Sequence, residues 1–223
     1  MSGLSRVKAG ERTDELMERA SRALAETKYF ECERVAQDAL ELAFRNEDYE
    51  RMARILMPLE ECRRQIRMQA VDAGAQGILN DVPDEDFVPE PGCWMFEPPL
   101  VGADGRALRQ RAIEAEHPVI IIVREPKTQL GAWPIVVIGP STTRAYVSPA
   151  KGKPTAAWLL DASEALGDAA LEGVDPDATA PRRVNALFDC LCTLRDHDKL
   201  HQELAKACQD AAREEQSNQR LAS

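Results

Sequence analysis

His197 and His201 lie four residues apart, with Cys190 and Cys192 just upstream. Two histidines one helical turn apart are able to share a zinc ion. Cysteines two positions apart face different ways on a helix, however, so the four residues do not converge. They are read instead as histidines on a solvated face beside Asp198, with the cysteines in the core or a groove. Cys93 and His117 have the residue types of a thiolate nucleophile and its base. No orienting acid accompanies them, so Cys93 is taken as a buried strand residue and His117, preceding Pro118, as a helix exit. Val101-Gly-Ala-Asp-Gly105 opens a helix but lacks both the Gly-x-Gly-x-x-Gly spacing and a Gly-Lys-Ser/Thr. Asp104 there acts as a cap and would repel a phosphate. No catalytic, cofactor-binding or metal set is assigned.

The composition narrows the classes further. The chain has 223 residues, 28 Lys+Arg against 38 Asp+Glu, and a formal charge of −10. That surplus of acid argues against nucleic acid or an anionic membrane surface as partner. Arg51, Arg54, Arg63, Arg64 and Arg67 are balanced by Glu47, Asp48, Glu50, Glu60 and Glu61, a mixed-charge helix face. Near the start there is no apolar run of the export-signal kind, and Val119 to Val123 is too short to cross a bilayer. Cys32, Cys62, Cys93, Cys190, Cys192 and Cys208 are irregularly spaced, and three sit at apolar helical positions. Free thiols and a cytoplasmic location are expected.

The elements follow from periodicity. Residues 13–70 carry three helical stripes, through Leu16, Ala20 and Leu24, then Cys32, Val35, Ala36, Ala39 and Leu40, then Met52, Ile55, Leu59, Cys62 and Ile66. Breaks fall near Thr27 and near Asn46, with Asn46 as N-cap and Pro58 inside the third helix. Residues 71–91, with Asp81, Asp84, Glu85 and Asp86 among prolines, read as an acidic linker. Residues 92–150 read as a small mixed or antiparallel sheet with one helix. Its strands are Cys93 to Phe96, the β-branched Val119 to Val123, Ala132 to Ile138 with Pro134 placing its first half at an edge, and Thr143 to Val147. Lys127 to Gly131 has the length of a hairpin connection. Residues 154–215 return to helix, with Asp196 as a cap. The fold class is α+β.

Lys28-Tyr-Phe-Glu-Cys-Glu-Arg-Val-Ala-Gln-Asp-Ala-Leu-Glu-Leu42 resembles the second half of a tetratricopeptide repeat. Leu16, Ala20 and Ala23 fall near that unit's first-helix positions, and Asp48-Tyr-Glu-Arg-Met-Ala-Arg-Ile-Leu56 resembles a further repeat helix. Asp196-His-Asp-Lys-Leu-His-Gln-Glu-Leu-Ala-Lys-Ala207 is a fainter echo. The match covers about residues 13–66. Tyr29 and Tyr49 are 20 residues apart, short of the ~34-residue period, and the repeat's glycine and closing proline are absent. The resemblance implies a helical hairpin surface that binds another protein.

The expected function is therefore non-enzymatic: an interaction or adaptor protein whose partner is another protein or a second copy of the chain. Tyr29, Tyr49, Arg51, Arg54 and Trp133 are the expected contact residues. No cofactor is expected. A small enzyme or ligand-binding domain centred on the 92–149 sheet is the competing expectation, with Gly139 to Thr143 as a pocket rim.

Overall fold

The structure, a computed structural model, describes residues 3–126 and 131–221. The elements are α1 (Gly3–Ala25), α2 (Tyr29–Arg45), α3 (Tyr49–Ala73), β1 (Ala75–Leu79), β2 (Gly92–Phe96), α4 (Gly102–Glu114), β3 (Val119–Arg124), β4 (Trp133–Ile138), β5 (Thr142–Val147), α5 (Ala156–Glu172), α6 (Ala180–Thr193) and α7 (Asp198–Leu221). The fold is α+β, as the periodicities imply. It divides into two compact units. One comprises Met1–Arg64, Val174–Phe188 and Asp198–Ser223; the other comprises Gln65–Gly173 and Asp189–His197.

The first unit is helical. Helices α1, α2 and α3 follow one another through two turns of identical construction. After α1 the Lys28 N–H bonds the Ala23 carbonyl at 2.9 Å and the Thr27 N–H bonds that of Leu24 at 3.0 Å. After α2 the Asp48 N–H bonds Ala43 at 2.9 Å and the Glu47 N–H bonds Phe44 at 3.0 Å. Each turn is a Schellman closure, and it places one residue in the left-handed region, Thr27 at φ 58° and Glu47 at φ 54°. The turn moves the start of α3 past Asn46. Asp48, not Asn46, accepts from the first turn of α3, through the Arg51 N–H at 3.1 Å. Asn46 instead closes α2, its Nδ2 donating to the Leu42 carbonyl at 2.7 Å.

Small residues set the helix approach. Ala20 and Ala23 of α1 and Ala36 and Ala39 of α2 are buried, and α1 packs on α2, while Cys32 of α2 directs its thiol at the Pro58 carbonyl of α3 at 3.9 Å. Helix α3 runs through Pro58 without interruption. The C-terminal part of the chain returns to the same unit. Phe188 of α6 stacks flat on Phe44 of α2, ring centres 3.9 Å apart. On α7, Gln202 reaches Glu60 at 2.9 Å and Asp198 lies 3.5 Å from Arg64.

The second unit is built on a five-stranded sheet in the order β1-β2-β3-β4-β5. The first three strands are parallel and the last three antiparallel. Strand β3 is buried along its whole length, as a β-branched strand covered on both faces must be. Helix α4 covers one face, through a core of Phe96, Leu108, Ala112, Ile121, Val123 and Val136. Helix α5 lies over β2 to β5 on the other. Its N-cap is Thr155, whose hydroxyl accepts from the Trp158 N–H at 3.2 Å.

Two sequence expectations change here. Ala75–Leu79, inside the expected spacer, is the edge strand β1, held in register against Cys93 to Phe96. Its sequence, Ala-Gln-Gly-Ile-Leu, is short and carries a glycine and only one β-branched residue, so the local strand signal is weak and pairing with β2 orders it. The end of the acidic segment is anchored: Phe87 packs edge-on against Trp94 at 6.3 Å, and the Pro89 carbonyl accepts from His117 at 2.8 Å. Pro134 lies beyond the β3–β4 register, which pairs only Val123 with Val136 and Arg124 with Ile135, so the first half of β4 is unpaired on that side although β5 pairs along its whole length. The Pro134 carbonyl accepts from the Glu125 N–H at 2.9 Å just past that register, and the N–H that proline lacks falls where no β3 residue is in register. Of the expected hairpin connection, residues 127–130 lie outside the described residues.

Candidate functional site

The surface that the first unit leaves open lies between α1 and α3. Helix α3 is tied to α2 by Arg63, whose Nε donates to Glu33 at 2.9 Å and whose Nη2 donates to Gln37 at 2.8 Å. A second tie joins α3 to α1. Arg51 spans the carboxylate of Asp14, Nε to Oδ1 at 3.0 Å and Nη2 to Oδ2 at 2.9 Å, while Nη1 holds Asp48 at 2.7 Å. The fork geometry of guanidinium on carboxylate fixes both helices. Gly10 makes room for it, since a Cβ there would stand 3.0 Å from the Arg51 guanidinium. The hydrogen bond from Arg51 holds the Asp14 carboxyl below its usual range.

Further along α3 the same two helices diverge into a groove of about 640 Å³. Met17 and Leu24 of α1 and Met57 and Pro58 of α3 line it, and Arg54 and Arg64 stand at its rim. Met57 is 74% exposed, an apolar side chain with three free torsions lying in water. Pro58 has no N–H to offer the Arg54 carbonyl one turn earlier, so a backbone acceptor also faces this stretch.

The expected contact residues fall into distinct settings. Arg54 is exposed at the groove rim. Tyr29 is half-buried at the first residue of α2. Tyr49 is only 8% exposed and belongs to the core of the hairpin. Arg51 is engaged by Asp14 and Asp48. Trp133, in the second unit, lies between two neighbours already in place: the Arg124 guanidinium at 5.2 Å and the Trp158 ring at 5.5 Å. Met57 and Met17 escaped the sequence reading. Met57 is off the apolar stripe of its helix, and that placement was the available signal.

The constellations that could have carried chemistry do not assemble. His197 precedes α7 instead of sharing its face with His201. It sits 3.4 Å from Glu164 and 3.5 Å from Asp168 in the second unit, whereas His201 lies 3.3 Å from Arg63 in the first. Both are buried rather than solvated, because each packs on a neighbouring helix of its own unit. Among the described residues no group of three or more His, Cys, Asp and Glu is placed to hold a metal ion. Cys93 is fully buried, its thiol directed at the Ala70 carbonyl at 3.5 Å, and burial pushes it up to about 11. His117 is taken by Pro89. Burial likewise pushes Cys208 up to about 12, and a hydrogen bond with Cys32, then burial, raises Cys62. None of the six cysteines is in a disulfide, and Cys192 is half-buried where the other five are buried.

Gly105, in the segment resembling a phosphate loop, serves packing. A Cβ there would stand 2.3 Å from the Val123 side chain, so glycine lets α4 settle onto β3. Asp104 closes the helix start as expected, its carboxylate accepting from the Val101 N–H at 2.8 Å. No helix among the described residues is long and apolar enough to cross a membrane. Compared with protein-family models, curated proteins and solved structures, the chain matches none.

Proposed function

We propose that this protein is a non-enzymatic interaction or adaptor protein that receives a helix of another protein in the groove between α1 and α3. The tetratricopeptide-like reading of residues 13–66 belongs to this proposal, with α1 and α2 as one hairpin and α3 opening the next. The exposed Met57 carries the reading: a flexible apolar side chain over Met17 and Leu24 offers an amphipathic helix a surface it can bury. The rim argues for the partner's charge. Arg64 is held by Glu60 at 3.1 Å and Glu61 at 2.9 Å, while Arg54 stands exposed beside the groove. An acidic residue flanking the partner's apolar stripe would meet Arg54.

The test is a photo-crosslinking residue at Met57, with one at exposed Arg12 as control, in the full chain within an extract of its source. The expected result is a single crosslinked partner at position 57, joined through an apolar helical segment and lost in Arg54→Glu. Identical products at both positions would overturn the proposal. Crosslinks to this chain alone would replace the heterologous partner with a second copy.

A further inference from the structure

The second unit contains a cavity of about 140 Å³ between α4, the β3 and β4 strands and the end of α6. Arg106, Arg109 and Arg195 are among its lining residues, and no Asp or Glu is. Arg109 is the central one. Its Nη2 donates to the Ile121 carbonyl at 2.8 Å, which occupies one edge of the group. Its Nε is buried and has no hydrogen-bond partner.

Arg109 as a whole is half-buried, but its Nε is closed off from water, and a guanidinium nitrogen so placed is normally matched by an acceptor because leaving it unmatched forfeits its hydration with nothing in return. Here the protein supplies one backbone carbonyl. Burial lowers the affinity of Arg109 for its proton; Asp196 opposes that effect at a distance, and the positive charge of Arg195 adds to it. The local charge balance is thus left open toward an anion.

The rest of the cavity restricts which anion. Ile113, Val123 and Ile138 form branched apolar walls, with Thr193 and Gln110 as neutral polar neighbours. The Thr193 hydroxyl is already engaged with the Asp189 carbonyl at 2.9 Å and with Ser141, which fixes the cavity's far side. A volume near 140 Å³ is the share of about four or five liquid waters. A free phosphate would turn polar oxygens against the branched walls. A planar carboxylate on a short aliphatic stem satisfies both surfaces, its oxygens toward the guanidinium and its stem against isoleucine and valine.

We infer that this cavity binds a short aliphatic carboxylate, with Arg109 as the residue that holds its carboxylate group. The site lies wholly within the second unit and does not depend on the groove reading.

The experiment is calorimetric titration of the full chain with isovalerate and, separately, with inorganic phosphate. Saturable binding of one isovalerate is expected, weakened about tenfold or more in Arg109→Gln. Bound isovalerate should also slow alkylation of Cys192, which lines the same cavity. Should Arg109→Gln fail to fold, Ile113→Trp replaces it: filling the cavity must abolish binding while the melt is retained. Absence of saturable isovalerate binding up to ~10 mM would overturn the inference. So would binding undiminished in both variants, and so would phosphate binding as tightly as isovalerate.

Discussion

Arg63 and Glu33 form an ion pair at 2.9 Å with side chains only 2% and 7% exposed, in the middle of the helical unit. Gln37 accepts from the same guanidinium and His201 lies 3.3 Å from it, so one side chain brings α2, α3 and α7 together. Removing one member of such a pair strands the other without water. Arg63→Met is therefore expected to destabilise by about 3–5 kcal/mol, and Glu33→Met by a similar amount. The double variant should recover much of the loss, because two apolar side chains leave no orphaned charge. Chemical denaturation of the three variants checks this; losses that simply add would refute the coupling.

Thr27 and Glu47 occupy the same place in two copies of one turn, both with positive φ. A β-branched residue is poorly suited to that conformation, whereas glycine adopts it freely. Thr27→Gly should stabilise by about 1 kcal/mol, and Glu47→Gly in the same direction by less. Thermal unfolding is the readout, and a lower melting temperature for Thr27→Gly would contradict the turn assignment.

The Asp14 carboxyl is lowered on folding by its hydrogen bonds to Arg51. Its folded state holds its proton less tightly than the unfolded chain does. The contribution is present above the unfolded value of 3.8 and is lost as the pH falls through the lower folded value. Glu125, paired with Arg144 at 2.8 Å, shifts the same way. Denaturation midpoints taken from about pH 6 down to about pH 2.5 should fall more steeply for the native chain than for Asp14→Asn. Parallel slopes would mean that the Arg51–Asp14 fork is not maintained in solution.

The helices and central strands were legible because their signals are local. Ala36, Ala39, Ile55 and Leu59 repeat at helical spacing, and the run from Val119 to Val123 has a composition that only a doubly covered strand tolerates. What stayed hidden depends on partners distant in sequence. Ala75–Leu79 becomes a strand only through Gly92–Phe96. The sites follow the same division. Arg54 was visible as an exposed helical charge. The cavity around Arg109 was not, since it takes shape only when α4, β3 and the end of α6 are assembled.

The path of the chain between its two units has a consequence for biosynthesis. The first unit is left at Arg64 and completed only when Val174–Phe188 and Asp198–Ser223 are available. At ordinary elongation speeds, α1, α2 and most of α3 therefore wait of order ten seconds for α7. During that interval the Glu33–Arg63 pair lacks its histidine neighbour, and Phe44 lacks the ring that stacks on it. Until then the nascent chain exposes the Phe44 ring and the Glu33–Arg63 pair that the finished protein covers.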